Sequence, residues 1–408
     1  MDWREEQNQS LVPVLSKKNN QSTEVNSTSF ACKDIPNLLS SFVDTFVDFS
    51  VSGLFLPPPP PTMTSKPPTR LPSSPRLIAI GDLHGDFNKT KQALRLAGII
   101  DSSDRYIGGS TTVVQVGDIL DRGGRELKIL YILEKLKREA ARCGGRIITM
   151  NGNHEIMNVE GDFRYATKAG VKEFRVWLEW FRQGNMMKSL CHGLKPPKDP
   201  LEGIHVEFSG VRKKFHDGLS ARVAALRPNG PISGRFLSHN ATVLVVGDSI
   251  FVHGGLLPEH VTYGLEKINA EVSDWVKGST VCRFPPPCCR GSNAVVWFKK
   301  FSENVEANCD FSILDHVLDM IPGVKRMIMG HKIQKNGING VWDNKAIRID
   351  VGMSKRCHGA LPEVLEINET SGLRILTLYS HRIIYNRRKG KLLRDLMLES
   401  RKGLCCLV

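Results

Sequence analysis

Residues 112–124 read TVVQVGDILDRGG, and the change of character inside this stretch points to the fold. Its first five residues are mostly β-branched, which is typical of a strand buried in a sheet. The run then ends abruptly in a glycine, two aspartates and an arginine. Two more runs end in the same way, in RLIAIGDLHGD (76–86) and RIITMNGNHE (146–155). Three predicted strands therefore carry polar, potentially reactive residues directly after their last apolar residue.

A helical pattern separates the second and third of these runs in chain order. Leucines recur at helical spacing from Leu127 to Leu136, and Gly144 and Gly145 then form a stop signal. Three further strand-like runs follow, TVLVV (242–246), IFVH (250–253) and RMIM (326–329). Strands that alternate with helices predict an α/β protein with a buried sheet.

The residues after the strands share one chemistry. The carboxyl ends of strands in an α/β sheet form a common rim where sites develop. A single Gly-Asp after a strand is an ordinary turn. The three phrases above are joined by two more, in IFVHGG (250–255) and RMIMGH (326–331), and five polar phrases after strands are hard to reach by chance. HEIMN is not H-E-x-x-H, which excludes the metalloprotease motif. The residues expected at this rim are Asp82, His84, Asp118, Asn153, His253 and His331.

The order GDxHG, GDxxDRG, GNHE, HGG, GH resembles the phosphoprotein phosphatase branch of the calcineurin-like metallophosphoesterases. Within that branch, the chain looks most like the Shewanella-like protein phosphatases of plants. The resemblance implies a β-sandwich flanked by helices, with an inserted helical segment that caps the site. It also implies hydrolysis of phosphomonoesters on phosphoserine, phosphothreonine or phosphotyrosine by a metal-activated hydroxide.

The family pattern implies a cofactor of two divalent metal ions, manganese with iron or zinc as alternatives. Carboxylate, imidazole and amide oxygen suit these ions better than soft thiolates would. The first ion would be held by Asp82 and His84, with Asp118 bridging both ions. The second ion would be held by Asn153, His253 and His331.

The same pattern assigns the residues that handle the substrate. His154 is expected to protonate the leaving oxygen, and Asp121 to orient His154. Arg122 should bind the phosphate through two parallel hydrogen bonds from its guanidinium, with Asn153 and Lys299 as further phosphate contacts. Lys299 stands in VVWFKKF where the subgroup usually has an arginine, and lysine cannot fork onto phosphate. Weaker phosphate binding is therefore expected, unless an arginine of the insert compensates, with Arg164 and Arg235 as candidates.

Two other classes of function stay open on the sequence. A phosphodiesterase or dinucleoside polyphosphate hydrolase of the same superfamily would use the same ligands. A non-catalytic binding protein, with the basic tail on RNA, is less consistent with a complete ligand set, and no RNA-binding motif is present.

Composition and pattern suggest four segments. Residues 1–31 are polar and predict disorder. Residues 32–74 predict an amphipathic helix that packs on its own domain, followed by a stiff proline-rich linker. The catalytic domain is expected over 75–385, with an insert at about 160–240 that covers the site as a lid. Residues 386–408 form a basic tail.

The net charge of +14 suits anionic partners, and phosphoproteins are the expected substrates. No nucleic-acid partner is expected. The common serine/threonine phosphatases carry a C-terminal SAPNY motif, and its absence here argues against binding of the regulatory subunits of those enzymes. No apolar run reaches the length of a membrane span, although the basic tail is a candidate for peripheral contact with acidic lipids. Without a secretory signal, a cytoplasmic location is expected, with mitochondrial or membrane-associated locations as alternatives.

Overall fold

The computed structural model describes residues 35–59, 67–191, 194, 198–205, 207–280, 282, 284–303, 311–368, 372–378 and 381–383. The predicted disordered segment at 1–31 and the basic tail at 386–408 lie outside these residues, so both stay predictions. Within the described part of the chain, no helix combines the length and apolarity needed to cross a membrane.

The first of two six-stranded sheets contains the three motif-bearing strands of the N-terminal half. Its strands, in spatial order, are β12 (His381–Ile383), β11 (Gly372–Thr377), β10 (Glu363–Asn368), β2 (Arg76–Ile80), β3 (Thr112–Gln115) and β4 (Arg146–Thr149). Strands β2, β3 and β4 run parallel, with Ile78 opposite Val113 and Val113 opposite Ile147. Their carboxyl ends therefore lie at one edge of the sheet.

The second sheet contains the two strands that precede the predicted ligands His253 and His331. Its strands, in spatial order, are β1 (Arg70–Leu71), β5 (Val243–Val246), β6 (Ser249–Val252), β7 (Arg326–Met329), β9 (Ala346–Arg348) and β8 (Asn339–Val341). Strands β6, β7 and β9 run parallel. A parallel bridge between Met150 and Ala241 links the ends of β4 and β5, and residues of both sheets belong to one hydrophobic core.

Ten α-helices surround the sheets in the described part of the chain. They are α1 (Ile35–Ser52), α2 (Phe87–Leu96), α3 (Glu126–Arg142), α4 (Asn153–Glu160), α5 (Lys168–Ser189), α6 (His216–Leu226), α7 (Pro231–Arg235), α8 (Pro258–Tyr263), α9 (Leu265–Val276) and α10 (Ser312–Asp319). On α3 the leucine stripe from Leu127 to Leu136 is buried, and the chain reverses at Gly144, whose φ is +73°. The predicted α/β sandwich flanked by helices is confirmed.

Helix α1 forms as predicted, but its apolar stripe is only partly covered. Val43 and Val47 are buried, whereas Ile35 and Phe42 are 52% and 62% exposed. Asp48 is buried on the polar side of the stripe, and its two carboxylate oxygens accept hydrogen bonds from the two terminal nitrogens of Arg235. The stripe is wider than the contact that α1 makes, so spacing alone could not identify the covered face.

The insert packs beside the catalytic domain and covers the site much less than expected. Helix α5 contacts α1, α3 and α6, and its buried face carries Phe174 and Trp177. Among the described residues of the insert, only Glu160, Asp162 and Tyr165, at its start, line the cleft described below. The prediction of a helical lid over the site is therefore wrong for α5, α6 and α7, because their apolar faces are used against α1, α3 and α4.

One carboxyl group at this contact predicts a pH-dependent stability. Glu173 on α5 accepts the backbone N–H groups of Leu127 (3.1 Å) and Lys128 (3.2 Å) at the start of α3. Burial, followed by the charge of Glu126, raises the pKa of Glu173 from 4.5 to about 8. A carboxyl with a raised folded-state pKa stabilises the fold most below its unfolded pKa, and that stabilisation is lost as the pH rises to about 8.

We expect Glu173→Gln to abolish this decrease in folding stability with rising pH. Relative to the variant, the wild type should lose on the order of 1 kcal/mol per pH unit between about pH 5 and about pH 8, and little beyond. Urea unfolding of both proteins across this range measures the difference. A difference in unfolding free energy that stays constant from about pH 5 to about pH 9 would contradict the expectation.

Candidate active site

The predicted ligands come together where the strands of the two sheets end. Backbone N–H groups of Leu83 and His84 both donate to the carbonyl of Asp118, at 3.0 and 2.9 Å, which joins the loops after β2 and β3. The backbone N–H of His331 lies 3.2 Å from a carboxylate oxygen of Asp82, which connects the loop after β7 to the first sheet. The rim expected from the sequence is therefore a single cluster.

Several residues of this cluster have a left-handed backbone, which is uncommon for residues other than glycine. The positive φ angles belong to His84 (46°), Asp118 (56°), Asp121 (66°), Arg122 (60°) and His331 (67°). Such conformations persist only where the surrounding structure holds them, and they concentrate at functional sites.

The first ligand group consists of Asp82, His84 and Asp118. Nδ1 of His84 lies 3.1 Å from the carbonyl of Leu120, so this nitrogen is the donor, and Nε2 carries a lone pair. Nε2 lies 3.6 Å from a carboxylate oxygen of Asp118 and 4.0 Å from one of Asp82. Burial lowers the pKa of His84 to about 4, which keeps the ring neutral.

Among the described residues, the carboxylate of Asp82 has no lysine or arginine within ion-pair distance, and its nearest basic group is the neutral ring of His84 at 4.0 Å. Burial, and next the charges of Asp350 and Asp118, raise the pKa of Asp82 well above its usual range. A neutral imidazole and two buried carboxylates that face one another fit a bound cation, since an isolated buried charge is unfavourable without one.

The second ligand group consists of Asp118, Asn153, His253 and His331. Oδ1 of Asn153 lies 2.9 Å from Nε2 of His253 and 2.9 Å from Nδ1 of His331. Nδ1 of His253 lies 2.9 Å from the carbonyl of Val116 and so carries the proton in the neutral ring. Nε2 then presents a lone pair to the amide oxygen, and this convergence of acceptor atoms also fits a cation.

Asp118 belongs to both groups. One carboxylate oxygen lies 3.6 Å from His84, and the other lies 3.3 Å from Nε2 of His253. Among the described residues, the ligand atoms of His84, Asp118 and His154 lie within 4.8 Å of one another, and so do those of Asp118, His253 and His331. This arrangement can hold two ions that share one carboxylate.

His154 has a different environment from its neighbour Asn153. Its Nδ1 lies 2.7 Å from a carboxylate oxygen of Asp121, and its Nε2 lies 3.8 Å from Asp118. Burial disfavours a charged ring, but the charges of Asp118 and Asp121 outweigh it and raise the pKa of His154. Asp121 therefore fixes the orientation of the ring, and the two carboxylates favour its protonated form.

Arg122 lies beside this pair and has an unused donor. Its Nε is buried without a hydrogen-bond partner, and its guanidinium lies 4.9 Å from the ring centre of Tyr165. The Tyr165 ring is also 5.0 Å from that of His154. An orphaned guanidinium donor at the edge of a cleft fits an anionic ligand.

Glu155 holds two of the motif loops together. One carboxylate oxygen accepts the N–H groups of Asp118 and Gly152, both at 2.8 Å, and the other accepts those of Ile119 (2.9 Å) and Leu120 (3.0 Å). The acidic residue of GNHE thus fixes the backbone of GDILDRG rather than facing the cleft.

A cleft of about 680 Å³ opens above these groups. Lys299 lines it but is 56% exposed and lies 3.3 Å from Glu303. The sequence analysis missed seven other charged or aromatic residues of the lining, namely Glu160, Asp162, Tyr165, Arg290, Trp297, Lys332 and Asp350. Asp350 lies two residues after the buried strand β9, so, like Asp82 and Asp118, it is an acidic residue close after the end of a strand.

Neither arginine expected to compensate for Lys299 is in place to do so. Arg235 is forked onto Asp48 at 2.6 and 2.7 Å, and Arg164 is mostly exposed and pairs with Asp162. Neither side chain lines the cleft. The prediction of compensation by Arg164 or Arg235 is wrong, because both guanidinium groups are taken up by neighbouring carboxylates.

Comparison with known proteins identifies the family. The model of the calcineurin-like phosphoesterases matches residues 75–332. Shewanella-like protein phosphatase 2 of Arabidopsis thaliana is 62% identical over 358 residues, which are 86% of this chain and 92% of the relative. Shewanella-like protein phosphatase 1 of Plasmodium berghei (strain Anka) is 39% identical over 291 residues, which are 68% of this chain and 67% of the relative.

A solved structure supports the same fold. The crystal structure of a cold-active protein-tyrosine phosphatase of a psychrophilic Shewanella species superposes with a TM-score of 0.56, at 20% identity, over 79% of this chain and 84% of that chain. Two sheets with groups of candidate metal ligands at their strand ends are the architecture of a metal-dependent phosphoesterase. The chain therefore belongs to the calcineurin-like phosphoesterases and, within them, to the Shewanella-like protein phosphatases.

Proposed function

We propose that this phosphoesterase is a protein phosphatase that hydrolyses phosphomonoesters of phosphoserine, phosphothreonine or phosphotyrosine. One observation carries the proposal, namely the position of Asp118 between two groups of metal ligands, beside a cleft with the free donor of Arg122 and the ring of His154. The names of the two Shewanella-like relatives agree with this reaction.

We propose two divalent ions, manganese with iron or zinc as alternatives, because the donors are carboxylates, imidazoles and an amide. Asp82, His84 and Asp118 would hold the first ion. Asp118, Asn153, His253 and His331 would hold the second. When bound, such ions neutralise phosphate oxygens and lower the pKa of water enough to supply a nucleophile near neutral pH.

The residues of the chain would then handle the phosphate and the proton. Arg122 binds phosphate oxygens through its fork, and Lys299 contributes a charge from the outer part of the cleft. Asn153 also faces the phosphate. His154 gives its proton to the leaving alkoxide or phenoxide, and Asp121 keeps the ring oriented for that transfer.

The proposal is tested by comparing a phosphate monoester with the matched diester. With Mn²⁺ added, we expect hydrolysis of 4-nitrophenyl phosphate to exceed that of bis(4-nitrophenyl) phosphate by at least about tenfold in kcat/KM. Phosphoserine, phosphothreonine and phosphotyrosine peptides then identify the preferred side chain. A preference for the diester would favour the alternative function of a phosphodiesterase or dinucleoside polyphosphate hydrolase.

Partners and location remain proposals from the sequence. We propose phosphoproteins as substrates, without the usual regulatory subunits and without nucleic acid. Peripheral contact of the basic tail at 386–408 with acidic lipids concerns residues outside those described. A cytoplasmic location is proposed, with mitochondrial or membrane-associated locations as alternatives.

Lys299 gives a prediction about affinity. Lys299→Arg should lower KM for 4-nitrophenyl phosphate about 3- to 10-fold, with little change in kcat, because arginine can donate two parallel hydrogen bonds to phosphate. Lys300→Arg is the matched control, since its side chain is exposed and does not line the cleft. Equal KM values for the wild type and Lys299→Arg would show that Lys299 does not contact the phosphate.

A further inference from the structure

The insert delivers one charged side chain to the interior of the catalytic domain. Arg222, on α6, is completely buried, and so are the carboxylates of Asp121 and Glu126 that it contacts. Its Nη2 donates to Asp121 (2.8 Å) and to Glu126 (2.7 Å), and its Nη1 donates to Glu126 (3.0 Å). The guanidinium also lies 4.7 Å from the ring centre of Phe174.

Asn158 completes the network. Nε of Arg222 donates to its side-chain oxygen at 2.8 Å, and its amide nitrogen donates to Asp121 at 2.8 Å. The same oxygen of Asp121 lies 2.7 Å from Nδ1 of His154. Arg222, Asn158 and His154 therefore fix the Asp121 carboxylate from three directions, and of these three residues His154 lines the cleft.

Without Arg222, two completely buried carboxylates would lie near each other without a countercharge. Such an arrangement is strongly unfavourable, so the Asp121 side chain would turn away from Glu126. That movement would remove the acceptor that orients His154. The backbone N–H of Asp121 also donates to Glu126 at 2.9 Å, so Arg222 and Glu126 hold the loop as well as its side chain.

We infer that Arg222 is a positioning residue for proton donation by His154, acting through Asp121. The inference rests on the proposed function, in which His154 protonates the leaving oxygen. It assigns to the insert a part in the reaction: α6 fixes the proton donor without reaching the substrate. The effect of losing Arg222 should therefore depend on how much the leaving oxygen needs a proton.

The test compares two aryl phosphates in the full chain with Mn²⁺. Arg222→Lys keeps the charge but cannot reach Asp121, Glu126 and Asn158 together. We expect kcat to fall about 30- to 100-fold for phenyl phosphate, whose leaving group, phenolate, is poor without a proton. The leaving group of 4-nitrophenyl phosphate is 4-nitrophenolate, which departs without a proton, so kcat for this substrate should fall less than about 5-fold. KM should not change for either substrate.

Arg235→Lys is the matched control. Arg235 also belongs to the insert, is forked onto a buried carboxylate and lies over aromatic rings, but it does not contact Asp121. It should leave the ratio of the two kcat values unchanged. In an Asp121→Asn background, Arg222→Lys should have almost no further effect on that ratio, because it acts through Asp121.

A loss of equal size on both substrates, or full additivity with Asp121→Asn, would overturn the inference and leave Arg222 a structural residue. If Arg222→Lys does not fold, Asn158→Ala removes one donor to Asp121 and should shift the ratio in the same direction, about 3- to 10-fold. An unchanged ratio in Asn158→Ala would then overturn it. A wild type that hydrolyses neither substrate would refute the proposed function itself, and the inference with it.

Discussion

Asp118→Asn should reduce kcat/KM for 4-nitrophenyl phosphate at least about 1,000-fold, because several kcal/mol of charge stabilisation depend on the shared carboxylate. The asparagine keeps the shape and can still accept the backbone N–H of His154, which lies 3.0 Å from Asp118. It removes the negative charge that lies between His84 and His253. Steady-state kinetics with saturating Mn²⁺ measures the loss.

Asp248→Asn is the control for this prediction. Asp248 precedes β6, at the opposite end of that strand from His253, and pairs with Arg326 at 2.9 Å. It should keep wild-type kinetics. If Asp118→Asn kept activity within about tenfold of the wild type, Asp118 would not be the bridging ligand, and the division into two ion sites would fail.

The neighbours Asn153 and His154 should give separable phenotypes. Asn153→Ala removes the oxygen that lies 2.9 Å from both His253 and His331, so bound metal and activity should fall together. His154→Ala should keep the metal and lose about 100- to 10,000-fold in kcat on phenyl phosphate, because a positioned acid contributes that much. The loss should be far smaller on 4-nitrophenyl phosphate.

Metal analysis beside kinetics on both substrates checks this pair. Glu160→Gln, at the cleft wall and on the same helix as both residues, serves as the control and should change neither quantity by more than about twofold. If His154→Ala lost its metal, the ring would be a ligand rather than a proton donor. His154 belongs to one of the two groups of possible ligand atoms, so this outcome has a structural basis.

The fold could be predicted from the sequence because the strands are buried on both faces. Runs such as those ending at Ile80 and Met329 are apolar and buried after their first residue, an arginine, and each is followed by one glycine and then a residue of the rim. Parallel strands then bring together residues as distant in sequence as Asp82 and His331. Local pattern and topology point to the same place, so the position of the predicted ligands at one rim followed from the sequence.

The contacts of the insert could not be predicted in the same way. Which face of α1 is covered depends on α5, and the apolar stripe does not encode that choice. Arg222 left a weak signal, a single arginine in a helix whose neighbours Ala221, Ala224 and Ala225 are small and buried. Its partners lie about 100 residues earlier, so only the tertiary structure identifies them.

The most direct test of the central claim is a count of bound metal. Protein stripped with a chelator, reconstituted with Mn²⁺ and freed of excess metal should contain two manganese ions per chain by mass spectrometry, and its hydrolysis of 4-nitrophenyl phosphate should return with them. Asp118→Asn should retain fewer than one. A wild type that binds no metal, or that stays fully active after complete chelation, would contradict the account.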